Sequence, residues 1–294
     1  MPDPTIAVSG VTKRFGHVQA LAGIDLEVAP GEVYGFIGPN GAGKSTTIRI
    51  LLGLLRADSG HATIFGRDAW KDAVEIHRRV SYVPGDVNLW PNLTGGEVID
   101  LFVRLKKSGD KVYRQELIEQ FDFDPTKKCG TYSKGNRQKV ALIAAFSTDA
   151  EVFILDEPTA GLDPLMEMVF RQCVRNVADQ GKTVLLSSHI LSEVEQLCDR
   201  LSIIRQGKIV DTGTLRDMRH LTRNQVHVEA SGDLTGLGNL PGVYDLTLDQ
   251  GQAEFHLDNA QTSPVMAYLA AQGATRFVST PPTLEELFMT HYQG

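Results

Sequence analysis

Cysteine is scarce in this 294-residue chain: Cys129, Cys173 and Cys198 stand apart, none in CxxC spacing. That scarcity argues against a disulfide framework or a zinc cluster and fits buried thiols in a reducing compartment. Positive charge is short as well, with 29 lysines and arginines against 36 acidic residues, a net charge of -7 and no basic block. A nucleic-acid surface is not the expected use of such a chain, and no nucleic-acid partner is expected. Long apolar runs are missing: nothing approaches the ~20 residues needed to cross a bilayer. The opening "MPDPTIAVSG" has no cationic segment leading into an apolar one. The expectation is a chain soluble by itself, which reaches a membrane only through another subunit. No internal repeat or low-complexity tract stands out.

What is present is 42% hydrophobic residues, enough over this length for one large core and a smaller second one. Between Ile6 and Thr63, short apolar runs such as "IAVSGV", "IDLEVA" and "VYGFIG" alternate with glycine and proline, which predicts a sheet-rich half. From about Asn88 to Ala150 the period turns helical, in "GGEVIDLFVRLKK", "YRQELIEQF" and "NRQKVALIAAFS". An inserted helical subdomain is expected there. The continuous apolar runs "VFILDEP" and "TVLLSSH" then read as parallel strands buried on both faces, joined by the helix "PLMEMVFRQCVRNVADQG". From Gln225 to Gly294, alternation in "QVHVEA", "YDLTLD" and "AEFHLD" predicts half-buried strands. The helices "SPVMAYLAAQ" and "TLEELFMTHY" are expected to cover them in a separate small α+β domain.

The stretch "GFIGPNGAGKSTTIRI", Gly35 to Ile50, places a glycine-rich loop between an apolar run and an amphipathic one. Gly38, Gly41 and Gly43 let the backbone bring its N–H groups close to a ligand. The helix behind them aims unpaired amides and a positive dipole end into the same space, so the natural guest is an anion. The spacing Gly38, four residues, Gly43, Lys44, Ser45 fits a nucleotide phosphate loop. Lys44 is then expected to reach the β- and γ-phosphates and the Ser45 hydroxyl to ligate Mg²⁺.

The strand "VFILDEPT" places Asp156 and Glu157 at its carboxyl end, the edge where open α/β sheets bind ligands. Asp156 is expected to hold Mg²⁺ through water. Glu157 is placed to orient or deprotonate a water for in-line attack on the γ-phosphate.

Taken in order, "GPNGAGKST", "YSKGNRQ", "ILDEPTAGLDP" and "LLSSH" resemble the nucleotide-binding subunit of an ATP-binding cassette (ABC) transporter over roughly Thr5 to Leu221. The resemblance implies an α/β P-loop NTPase cassette with a mixed sheet core, an antiparallel β subdomain and an inserted helical subdomain at about 88–150. That ATPase domain would occupy 1–221, with the small α+β domain at 222–294. The cofactors implied are ATP and Mg²⁺. The loop Gly38, Pro39, Asn40, Gly41, Ala42, Gly43, Lys44, Ser45 and Thr46 would hold the phosphates, and Phe15, in "TKRFG", would stack on adenine. Ser133 and Gly135, in the place of the family's signature, would face the γ-phosphate of ATP on an opposite subunit. His189 matches the switch histidine that senses the γ-phosphate. Asp163, in "AGLDP", resembles the loop that crosses the dimer interface.

Two departures qualify the match. The signature has Tyr132 for leucine, Lys134 for the first glycine and Asn136 for glutamine, and Lys134 either adds positive charge at the γ-phosphate or points into water. In "VSYVPGDVNLWPNLT" the usual glutamine is Gly85. Either Asp86 takes part, or Glu157 and His189 hold the water alone and Gly85 serves as a hinge.

A signature facing a phosphate loop on one chain would be awkward, so the resemblance implies a nucleotide-sandwich homodimer. It also implies an integral membrane permease docked near Gly85 to Leu93, with "NLWPNL", and Trp90 above all, as lining. The tail resembles that of bacterial drug, antibiotic or lipid exporters, which places the chain at the cytoplasmic face of a bacterial plasma membrane. Two alternatives stand beside it. One is a soluble ATPase acting on ribosomes or DNA, and the other is a cassette that binds ATP as a switch without hydrolysis.

Overall fold

The computed structural model describes residues 3–106, 109, 111–215, 217, 224–258 and 261–280. The chain divides into two compact units, Met1–Thr212 and Gly213–Gly294. The boundary expected after Leu221 lies outside the described residues.

In the first unit, β1 (Ile6–Phe15) pairs antiparallel with β2 (Val18–Val28) and β4 (Ser59–Ile64), and β4 pairs with β5 (Arg67–Asp68). The second sheet has the order β10 (Lys208–Thr214), β9 (Arg200–Arg205), β3 (Val33–Ile37), β8 (Thr183–Ser188), β7 (Val152–Asp156), β6 (Val80–Val83). From β9 through β6 every pairing is parallel. Strands β3, β7 and β8 are buried at every position, as strands covered on both faces must be. Helix α1 (Lys44–Leu51) buries Ile48 and Leu51 in a core shared by both sheets, with Val8, Leu26, Phe36 and Ile154.

The short α2 (Ala73–His77) precedes β6. The helical periodicity between Asn88 and Ala150 forms α3 (Gly95–Lys106), α4 (Lys111–Gln120) and α5 (Lys134–Phe146), with α3 and α4 both packed on α5. Helix α6 (Pro164–Asp179) joins β7 to β8, and α7 (Leu191–Leu197) joins β8 to β9.

The second unit holds an antiparallel sheet in the order β12 (Val243–Asp249), β13 (Gln252–Leu257), β11 (Asn224–Ala230), β14 (Ala274–Thr280). Helix α8 (Thr262–Ala271) buries Val265 and Leu269 with Val226, Val228 and Phe255 of the sheet. The final helix expected at "TLEELFMTHY" lies outside the described residues.

Candidate functional site

Strand β3 ends at Ile37, and the chain turns through the glycine-rich loop into α1. Gly43 caps this helix at φ 118°, a conformation that L side chains rarely adopt, with no side-chain cap and no acidic residue in the first turn. The first-turn amides therefore lack the usual intrachain carboxylate or hydroxyl partner, which leaves a positive helix end for an anion. The Ala42 carbonyl accepts from Gly207 N, which ties the loop to the turn between β9 and β10. Ala42 is buried, Pro39, Ser45 and Thr46 are half-buried, and Asn40 and Gly41 face solvent.

Lys44 is 4% exposed, and its Nζ donates to the Gly38 carbonyl at 2.6 Å and the Pro39 carbonyl at 3.3 Å. Its third neighbour is Glu157 Oε1 at 3.2 Å. The other oxygen of that carboxylate, Oε2, lies 3.2 Å from His189 Nδ1. One carboxylate thus stands between a buried ammonium and an imidazole whose side chain is 47% exposed.

Glu157 has φ 48°, a left-handed conformation that costs a non-glycine residue roughly 1 kcal/mol. Its N–H donates to the Ser187 carbonyl at 3.0 Å and to Ser187 Oγ at 3.2 Å, which pins the turn to β8. Ser187 Oγ in turn donates to Asp156 Oδ1, and Asp156 is buried. Asp156, Glu157, Lys44 and His189 are therefore brought together at one edge of the parallel sheet.

The remaining expected residues sit elsewhere. Phe15 is exposed at the end of β1, with Lys13 Nζ 5.7 Å from its ring centroid. Ser133 is the N-cap of α5, accepting from Asn136 N at 3.3 Å. Gly135 abuts Gly161: a Cβ on Gly135 would stand 2.5 Å from the Gly161 carbonyl oxygen. Lys134 is exposed, and its aliphatic stem runs beside Gly161. Asp163 caps α6, accepting from Met166 N at 3.0 Å.

Gly85 lies against the site. A Cβ there would stand 3.2 Å from the Asp156 carbonyl oxygen and 3.7 Å from Glu157 Cβ. Asp86 is exposed and accepts from Asn88 Nδ2 at 3.5 Å. Trp90 is 52% exposed and tilts against Phe102 at 6.3 Å, so it is not a core tryptophan. A groove of about 120 Å³ opens behind β6, lined by Tyr82, Pro84, Val87, Leu89, Phe102 and the alanines of α5. From "NLWPNL", Asn88 and Leu89 line it, and Trp90 leans on the lining residue Phe102.

Three residues escaped the sequence reading. Ser187 bonds both Asp156 and the Glu157 amide, Gln138 is buried and donates to the Pro158 carbonyl at 2.9 Å, and Ser188 precedes His189 with its hydroxyl engaged in the same turn. The doublet "SS" before His189 was the available signal, since two small hydroxyls at the end of an otherwise apolar strand need buried partners. Among the described residues no helix is long and apolar enough to cross a membrane.

Comparison with known proteins gives the family of the chain. Residues 21–160 match the ABC transporter family, and residues 213–292 match the C-terminal domain of DrrA1-3-like ATP-binding proteins. The daunorubicin resistance ATP-binding protein DrrA3 of Streptomyces coeruleorubidus is 37% identical, the match covering 85% of this chain and 81% of that protein. The Nod factor export ATP-binding protein I of Burkholderia pseudomallei is 30% identical, over 95% of this chain and 94% of that one. A solved structure of the ATP-binding subunit of an ABC transporter superposes with a TM-score of 0.68 at 29% identity, over 74% of this chain and 92% of that chain. These relatives do not favour an action on ribosomes or DNA. Matched along nearly its whole length to such proteins, the chain belongs to the ATP-binding proteins of the ABC transporters, a family of ATPases.

Proposed function

We propose that two copies of this chain clamp two ATP molecules between them at the cytoplasmic face of a bacterial plasma membrane and drive a separate permease that exports drugs, antibiotics or lipids. The observation that carries this reading is the Glu157 carboxylate held between Lys44 and His189, 3.2 Å from each, beside an uncapped helix N-terminus. A γ-phosphate entering the loop competes with Glu157 for Lys44, since both are anions. Released from that pair, Glu157 accepts a proton from the attacking water, and His189 turns to the phosphate oxygen. The loop from Gly38 to Thr46 holds the phosphates, and Phe15 offers its exposed face to adenine.

Ser45 and Asp156 offer the oxygen ligands that a hard cation takes and would be the residues to hold Mg²⁺. Its charge would offset that developing on the phosphoryl oxygens. Ser133 caps α5 and Gly135, in its first turn, lies against Gly161 of the "AGLDP" loop, a helix N-terminus suited to the γ-phosphate held by the partner copy. Asp163 supports that same loop. The groove lined by Leu89 and Phe102 is the seat for a permease helix, and the drug-resistance and export relatives favour export over import.

The test is the Glu157→Gln form, which retains an oxygen for Lys44 and loses the base. With ATP and Mg²⁺ it should sediment as a dimer and hydrolyse ATP at least ~100-fold more slowly than the parent chain. A form that stays monomeric at saturating ATP, or turns over normally, overturns the reading.

A further inference from the structure

Four residues after His189, on α7, lies a carboxyl group that the proposed chemistry does not use. Glu193 is 4% exposed. Burial pushes its carboxyl above the usual range and the Glu167 charge adds to the shift, while Thr159, Ser188 and His189 oppose it. Its Oε1 is fully buried, and Thr159 is the neighbouring hydroxyl. Leucine would pack at such a position at no desolvation cost, so an ionisable group retained here needs a use.

That use is visible at Oε2, which accepts from Ser188 Oγ at 2.8 Å. The same hydroxyl accepts from the Ile190 N–H at 2.9 Å. Ser188 is itself buried, so one hydroxyl links the residues on both sides of His189 to a buried carboxyl. The His189 imidazole itself is half exposed, with Glu157 as its ion-pair neighbour. Helix α7 has no side-chain cap, so its start is free to shift unless another contact fixes it.

We propose that Glu193 is a positioning residue for His189, holding through the Ser188 hydroxyl the turn that aims the imidazole at Glu157. The inference rests on the reading of His189 as the γ-phosphate contact. A displaced imidazole leaves ATP bound by the phosphate loop and slows the chemical step, so kcat falls while KM holds.

The test compares Glu193→Ala, Glu193→Gln, Ser188→Ala and His189→Ala in the full chain. Each is followed by ATP turnover with ATP varied and by its melting temperature. Glu193→Ala should lower kcat by roughly 10- to 100-fold with KM for ATP changed less than about 2-fold. Glu193→Gln keeps an oxygen acceptor for Ser188 and should recover most of that loss. In the His189→Ala background, Glu193→Ala should add less than about a 2-fold further decrease, because both changes remove one function. Should Glu193→Ala fail to fold, Ser188→Ala carries the same expectation by deleting the linking hydroxyl.

Normal kcat in the Glu193 and Ser188 variants, with His189→Ala impaired, overturns this inference alone. A Glu193→Ala loss that Gln fails to recover, or that repeats in full without His189, also overturns it. Normal turnover in His189→Ala overturns the underlying reading of the site instead.

Discussion

Replacing Lys44 with alanine separates two roles of one side chain. In the structure its ammonium bonds two loop carbonyls and lies 3.2 Å from Glu157, all with 4% exposure. Charge-assisted hydrogen bonds contribute about 1.5–3 kcal/mol each, but they share one proton-bearing group and do not add, so the expected loss in the ligand-free chain is roughly 2–4 kcal/mol. For a unit the size of Met1–Thr212, one kcal/mol moves the melting midpoint by about 2–4 °C, which puts the drop at roughly 5–15 °C. ATP acts in the other direction. At a hundred times its dissociation constant, a ligand bound only by the folded state adds about 2.7 kcal/mol, an upward shift of roughly 5–11 °C in the parent chain. Scanning calorimetry with and without ATP and Mg²⁺ reads both quantities. Lys44→Ala should melt lower and show no ATP shift, whereas Glu157→Gln should keep the shift. A Lys44→Ala form that gains the full ATP stabilisation would show that the phosphates do not meet this side chain, and the assignment of the loop would fall.

Other sites yield simpler expectations. Gly135→Ala places a methyl 2.5 Å from the Gly161 carbonyl, so the loop or α5 must move, at about 1–3 kcal/mol; ATP-dependent dimerisation, followed by sedimentation, should weaken at least ~10-fold. Burial pushes the Cys173 thiol up to about 12 and the Cys198 thiol well above its ordinary value, so iodoacetamide at pH 8 should label neither in the folded chain and both in urea, as mass spectrometry would count. Arg79 grips Glu151 with two nitrogens and holds its carboxyl below the usual range. The sign follows: this pair stabilises above the unfolded carboxyl pKa and is lost as pH falls through the lowered native value. Urea midpoints of the parent and Glu151→Gln chains should therefore differ at pH 7 and converge as pH falls below the lowered native value.

Much of the cassette was legible because its signals are local. The runs "VYGFI", "VFILD" and "TVLLSS" contain no alternation, so they had to be strands buried on both faces, and they are. The phosphate loop was readable because glycine is required at Gly43 by backbone geometry. What escaped is what depends on distant partners. Nothing near Gln138 reveals that it bonds the Pro158 carbonyl across twenty residues, and nothing near Ser187 reveals its bond to Asp156 on the neighbouring strand. Trp90 stands 52% exposed with its indole against Phe102, while the neighbouring Leu89 lines the groove, a placement that no local pattern in "NLWPNL" foretells. Gly85 was an open question about a missing side chain, and the structure recasts it as one of space. With 3.2 Å from its would-be Cβ to the Asp156 carbonyl, any larger residue must push on the strand end that carries Glu157.

The convergence of Lys44, Glu157 and His189 follows from sheet order. Strands β3, β8 and β7 are adjacent and parallel, so their carboxyl ends emerge at one edge although Lys44, Glu157 and His189 stand far apart along the chain. Parallel neighbours require crossovers, and the crossovers put every functional turn on the same rim. The middle strand, β8, then has a particular duty: Ser187 at its end holds Asp156 and the Glu157 amide on one side, and Ser188 holds the His189 turn on the other. A carboxylate on one strand and an imidazole on the next stay 3.2 Å apart because the two hydroxyls of that strand fix both turns to the same backbone. The spacing of the reacting groups is thus inherited from the spacing of hydrogen-bonded strands in a rigid sheet.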